Sequence, residues 1–81
     1  MQPDARTYGR GPSKRSLTVA GHRTSVSLEE PFWEALVDVA AERNMSIAAV
    51  VAEIDRNRGE MNLSAAIRIA VLEYYRSRRE H

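Results

Sequence analysis

Arg23, Ser25 and Ser27 alternate with Thr24, Val26 and Leu28. In an extended strand alternate residues share a face. This spacing therefore sets one guanidinium and two hydroxyls against a largely apolar row. The planar fork of a guanidinium matches O6 and N7 of guanine, and a serine hydroxyl donates to or accepts from several bases. The chemistry available to this row is recognition of base edges. Serine is short, so the reading would rest mainly on Arg23. Glu29 and Glu30 follow directly and repel phosphate unless they are aimed away. As a bland alternative, Ser25 and Ser27 are ordinary solvent-facing strand residues.

Bond-breaking chemistry finds little support. Serines are plentiful, but none has a His–acid pair at a readable spacing. Glu29 and Glu30 sit at a helix start with no cleft to raise a pKa. Gly9-Arg10-Gly11 is not a phosphate-binding loop. His22 and His81 are too few and too far apart for an ordinary zinc site, and there is no cysteine for a disulfide scaffold or a thiolate site. The expectation is a non-enzyme without cofactor or metal.

Eighty-one residues allow one small domain and exclude barrels and doubly wound sheets. With 43% hydrophobic and 28% charged residues the composition is globular. No apolar run approaches a membrane span and no signal-peptide pattern opens the chain, so a cytoplasmic protein without membrane contact is expected. The net charge of +1 hides a pattern. Arg6, Arg10, Lys14, Arg15 and Arg23 against Asp4 make residues 1–23 basic, residues 24–62 are acidic, and residues 63–81 are again basic. Eleven of the twelve basic residues are arginine, which suits phosphate and guanine. A solvated tail and a cation-favouring helix end would produce the same charges.

Several elements must position these groups. Residues 1–15, with Pro3, Gly9, Gly11 and Pro12, read as a flexible basic N-terminal arm, and residues 16–81 as the domain. Ser16–Val19 and Thr24–Leu28 alternate in opposite phase, so a turn or bulge falls near Gly21. Pro31 to Arg43 reads as a helix with Trp33, Leu36, Val37 and Ala40 on its apolar stripe and Phe32 and Val39 flanking. Asn44 suits a left-handed cap. Ser46 reads as the N-cap of a second helix carrying Ile47, Val50, Val51 and Ile54, stopped at Gly59. Asn62 caps a third helix with Leu63, Ala66, Ile67, Ala70, Val71 and Tyr74 on one stripe. Ile69 and Leu72 lie outside that stripe, which predicts burial from more than one side. After Tyr75 the chain turns basic and is expected to fray. Phe32 and Trp33 read as packing anchors rather than a base-stacking platform, and Tyr74 and Tyr75 as packing residues with wet hydroxyls.

A two-stranded ribbon is marginal in water, and an open edge invites another strand. The repair expected here is the same strand from a second copy, paired antiparallel about a two-fold axis. The dimer core would hold Val26, Leu28, Trp33, Leu36, Val50 and Ile54. An obligate homodimer follows.

Strand, helix, helix, with Arg23-Thr24-Ser25-Val26-Ser27-Leu28, then Leu36 and Ala40, Asn44-Met45-Ser46, and Val50 and Ile54, resembles the ribbon-helix-helix family. The run from Lys14 to Val19 and that from Asn62 to Ala66 resemble a longer subgroup with a leading strand and a third helix. The linker Asn44-Met45-Ser46 departs from the family's usual Gly, apolar, Ser or Thr, but keeps the cap chemistry.

The resemblance implies a mostly α homodimer whose intermolecular β-ribbon enters the major groove of double-stranded DNA. Arg23, Ser25 and Ser27 would touch bases, while Ser46 and the amides of Ile47 and Ala48 would hold a phosphate. Lys14 and Arg15 of the arm would add phosphate contacts that weaken with salt. Two functions follow. The first is a sequence-specific transcriptional regulator, acting as repressor or autoregulator. The second is a protein–protein interaction module, antitoxin-like or adaptor, built on the same dimer.

Overall fold

The computed structural model describes residues 11–79. Strands β1 (Pro12–Val19) and β2 (His22–Glu29) form an antiparallel hairpin, followed by helices α1 (Glu30–Glu42), α2 (Ile47–Asn57) and α3 (Leu63–Arg79). The ladder runs from Val19 opposite His22 at the turn to Pro12 opposite Glu29. Only Ala20 and Gly21 connect the strands, with φ of 51° and 83°. Positive φ at both central residues marks a type I′ turn, whose twist matches that of the strands it joins. This turn produces the phase flip between the two alternating runs.

β1 begins at Pro12, four residues before the domain start read from the sequence, so Pro12–Arg15 are strand rather than arm. Arg6, Tyr8 and Arg10 lie outside the described residues. β2 thus has a full eight-residue partner within its own chain. Pairing between copies is a matter of assembly, not of the protomer.

Each helix boundary has a local cause. α1 opens with Pro31 in its first turn and acidic Glu30, which favours the positive end of the helix. It closes in a Schellman motif: the Met45 amide donates to Ala40 O at 2.9 Å and the Asn44 amide to Ala41 O at 3.2 Å, with Asn44 at φ 56°. Ser46 Oγ accepts from the Ala49 amide at 3.0 Å and starts α2, and Asn62 Oδ1 accepts from the Ala65 amide at 3.2 Å and starts α3.

The core joins Val19, Val26 and Leu28 from the hairpin to Trp33, Leu36, Val39 and Ala40 of α1, Val50 and Val51 of α2, and Ile67 and Val71 of α3. Five of the six residues expected at a dimer core are buried within a single chain, and Ile54 packs half-buried against them. α3 closes this core. Trp33 is pinned to the hairpin, donating from Nε1 to Ser13 O at 3.0 Å. Two expectations need correction on α1: Val37 is 46% exposed, and Val39 is buried in its place. On α3, Ile69 and Leu72 are 43% and 54% exposed, so the chain alone does not bury its second apolar side. α3 also runs to Arg79 without fraying after Tyr75. Arg78 reaches Glu42 at 2.8 Å, Tyr74 Oη donates to the same carboxylate at 2.8 Å, and the basic last turn suits the negative helix end.

Candidate nucleic-acid interface

Alternation along β2 separates its residues as the sequence indicated. Val26 and Leu28 are buried and Thr24 half-buried, whereas Arg23 and Ser25 are exposed and Ser27 is half-buried. Directly opposed residues of an antiparallel pair share a face. The outer face therefore also holds Thr18 opposite Arg23, Ser16 opposite Ser25 and Lys14 opposite Ser27, all three exposed on β1. The β1 row was only partly legible in the sequence, which left a turn or a bulge open near Gly21 and put Lys14 in the arm; the two-residue turn at Ala20-Gly21 fixes every pair.

The two acidic residues at the junction of β2 and α1 are both paired with an arginine. Arg68 of α3 grips the Glu29 carboxylate with two hydrogen bonds, Nε to Oε1 at 2.8 Å and a terminal nitrogen to Oε2 at 3.1 Å. These bonds hold the Glu29 carboxyl below its ordinary pKa. Glu30 accepts from Arg15 at 3.1 Å. Arg15 lies on the core-facing side of β1, its guanidinium 4.7 Å from the centroid of the Trp33 ring. Of the two arm cations expected at phosphates, then, only Lys14 stands on the outer face. Neither Lys14 nor Arg23 forms an ion pair among the described residues.

α3 also governs one edge of β2. The Ser27 amide donates to Ser64 Oγ at 3.2 Å, and Arg68 donates to Ser27 O at 3.4 Å. The roles of Ser64 and Arg68 have no local signal in the sequence, since they act across 37 to 41 positions.

At the second expected contact, Ser46 is exposed and occupied as a cap. The amides of Ile47 and Ala48 belong to the first turn, which has no acceptor within the helix. Arg43 and Glu53, 3.0 Å apart, tie the end of α1 to α2, and this bond lowers the Glu53 pKa and raises that of Arg43. At the far end, the hydrogen bond to Glu42 raises the Tyr74 pKa. His22 is exposed beside the turn. Among the described residues no group of three or more His, Cys, Asp or Glu converges as a metal site would require, and no helix is long and apolar enough to cross a membrane.

This two-stranded ribbon, its polar outer row and the helices behind it are the features of one protein class. A family model described as a ribbon-helix-helix domain matches residues 12–75. The chain belongs to the ribbon-helix-helix family, whose members are in general DNA-binding transcription regulators or antitoxins. No curated protein and no solved structure matches the chain.

Proposed function

We propose that this protein is a sequence-specific DNA-binding transcriptional regulator, a repressor or autoregulator that acts as a homodimer. The carrying observation is the outer face of the hairpin. Arg23, Ser25, Ser27 and Lys14 lie there together, while Arg68 and Arg15 neutralise the two carboxylates that would otherwise repel DNA. Arg23 reads guanine, and the serines take neighbouring base edges. Ser46 with the amides of Ile47 and Ala48 receives a backbone phosphate. Exposed Ile69 and Leu72 support self-association. The test is selection of binding sites from a random duplex pool at about 0.15 M salt, where screening suppresses purely electrostatic capture. Recovery of a motif with two related half-sites is expected. An unenriched pool with only salt-sensitive binding contradicts the reading.

A second reading, a protein-interaction module, is favoured by one observation. Phe32, Ala35, Ile69, Leu72 and Tyr75 line an apolar groove between α1 and α3. On that reading a protein partner is retained after nuclease treatment and lost with Leu72→Glu.

A further inference from the structure

We infer, resting on the homodimeric DNA-binding reading above, that two copies join their β2 edges in a single register, with Thr24 opposite the partner's Thr24, because α3 closes that edge at Ser27. The base-reading unit is then shared: Arg23 of one copy stands beside the partner's Ser25.

Backbone groups along an antiparallel strand turn alternately to its two sides. Val19 and His22 flank the two-residue turn as a hydrogen-bonded pair, so His22, Thr24, Val26 and Leu28 bond to β1. Arg23, Ser25 and Ser27 therefore turn their amides and carbonyls to the opposite edge. Ser27 bears this out: its amide donates to Ser64 Oγ and its carbonyl accepts from Arg68, both on α3. Among the described residues the amides and carbonyls of Arg23 and Ser25 have no such partner. An open strand edge of this kind takes up another strand.

Two-fold symmetry limits the ways of doing so. With Ser25 opposite the partner's Ser25, Arg23 must bond to the partner's Ser27, whose amide and carbonyl α3 already holds. With Val26 at the axis, Ser25 meets the same obstacle. With Arg23 at the axis, two guanidiniums are directly opposed, which is destabilising. With Thr24 at the axis, Arg23 bonds to the partner's Ser25 and Ser25 to the partner's Arg23, so every open group of both residues is satisfied. The partner's strand then reaches its own turn, Gly21, just as it comes to Ser27. The two threonines form the close, non-hydrogen-bonded type of pair, which suits their side chains. The same edge borders the apolar groove, since Arg68 lines that groove with Ile69 and Leu72 and also touches Ser27. Strand pairing and groove thus form one continuous interface.

The chain has no cysteine, so single substitutions report the register. Cα atoms of a non-hydrogen-bonded pair lie about 4.5 Å apart, within disulfide reach. The full chain carrying Thr24→Cys, mildly oxidised, is expected to run mostly at dimer mass on a non-reducing denaturing gel. Ser25→Cys, whose two copies lie two residues out of step, is expected to stay mostly monomeric there. Linkage of Ser25→Cys in preference to Thr24→Cys, or of neither although sedimentation shows a dimer, overturns the inference. A chain that sediments as a monomer overturns it together with the homodimeric reading. Adding Ser64→Ala and Arg68→Ala frees Ser27 and is expected to let Ser25→Cys link; a Ser25→Cys chain still unlinked in that background overturns the part given to α3. Oxidised Thr24→Cys is also expected to select the wild-type motif from a random duplex pool. A linked dimer that loses a motif selected by its reduced form overturns the inference, whereas the expected linkage with no motif from any form contradicts only the DNA-binding reading.

Discussion

At the scale of single residues, Arg68 decides what kind of surface the ribbon presents. It touches Glu29 and the Ser27 carbonyl, and so keeps a carboxylate paired beside the proposed DNA-reading row. Arg68→Ala is expected to weaken DNA binding about equally for all sequences, and Glu29→Gln in that background to restore it. Titration of matched and mismatched duplexes checks this, and a loss confined to one base position contradicts it. The same pair sets an acid limit. Because the folded Glu29 has a pKa below its ordinary 4.5, the unfolded chain binds more protons in that interval. Its contribution to stability is complete above about pH 4.5 and is lost as pH falls through the lower folded value. Glu53, held by Arg43, behaves in the same direction. Melting temperature should therefore fall on acidification below about pH 4.5, and less steeply in Arg68→Ala. Parallel slopes for the two proteins would contradict the assignment.

At the scale of elements, the hairpin turn carries a measurable strain. Ala20 holds a left-handed conformation that costs a non-glycine residue roughly 1–2 kcal/mol. Ala20→Asn supplies the Asn-Gly pair that type I′ turns prefer and should stabilise the fold by about 1 kcal/mol. A lowered melting temperature would mean that the turn type is wrong. Ser46→Ala removes the α2 cap and should cost about 1 kcal/mol. These local features were largely legible: Ser46, Asn62, Asn44 and the strand phases announce themselves through short-range chemistry. The extent of β1 was less so, because Pro12 and Gly11 read as breakers, whereas Pro12 in fact opens a strand that Glu29 pairs from the far side. Val37 and Val39 exchanged roles because both lie three residues from a stripe position, and only the placement of α3 decides which one is covered. The persistence of α3 past Tyr75 depends on Glu42, 36 residues from Arg78, a distance no local pattern reports.

At the scale of the whole molecule, α3 gives one chain a closed core and leaves a second apolar face outward. Leu36 is fully buried, so Leu36→Ala should cost about 2–4 kcal/mol, and half-buried Ile54→Ala less. Denaturant unfolding at fixed protein concentration measures both, and a neutral result for Leu36→Ala would place the packing face elsewhere. The proposed self-association draws on a different surface, that of exposed Ile69 and Leu72. Leu72→Glu puts a charge on the exposed face and should convert a dimer to a monomer in sedimentation while preserving helicity. A dimer that survives Leu72→Glu would locate the interface away from α3.

The central claim is that the outer face of the hairpin reads DNA sequence. Its most direct test is the motif recovered by Arg23→Ala beside that of wild type, selected from the same random duplex pool. The wild-type motif is expected to contain a guanine whose preference falls by about 1–3 kcal/mol in Arg23→Ala, with the other positions retained. An Arg23→Ala motif identical to the wild type, bound with equal affinity, would contradict it.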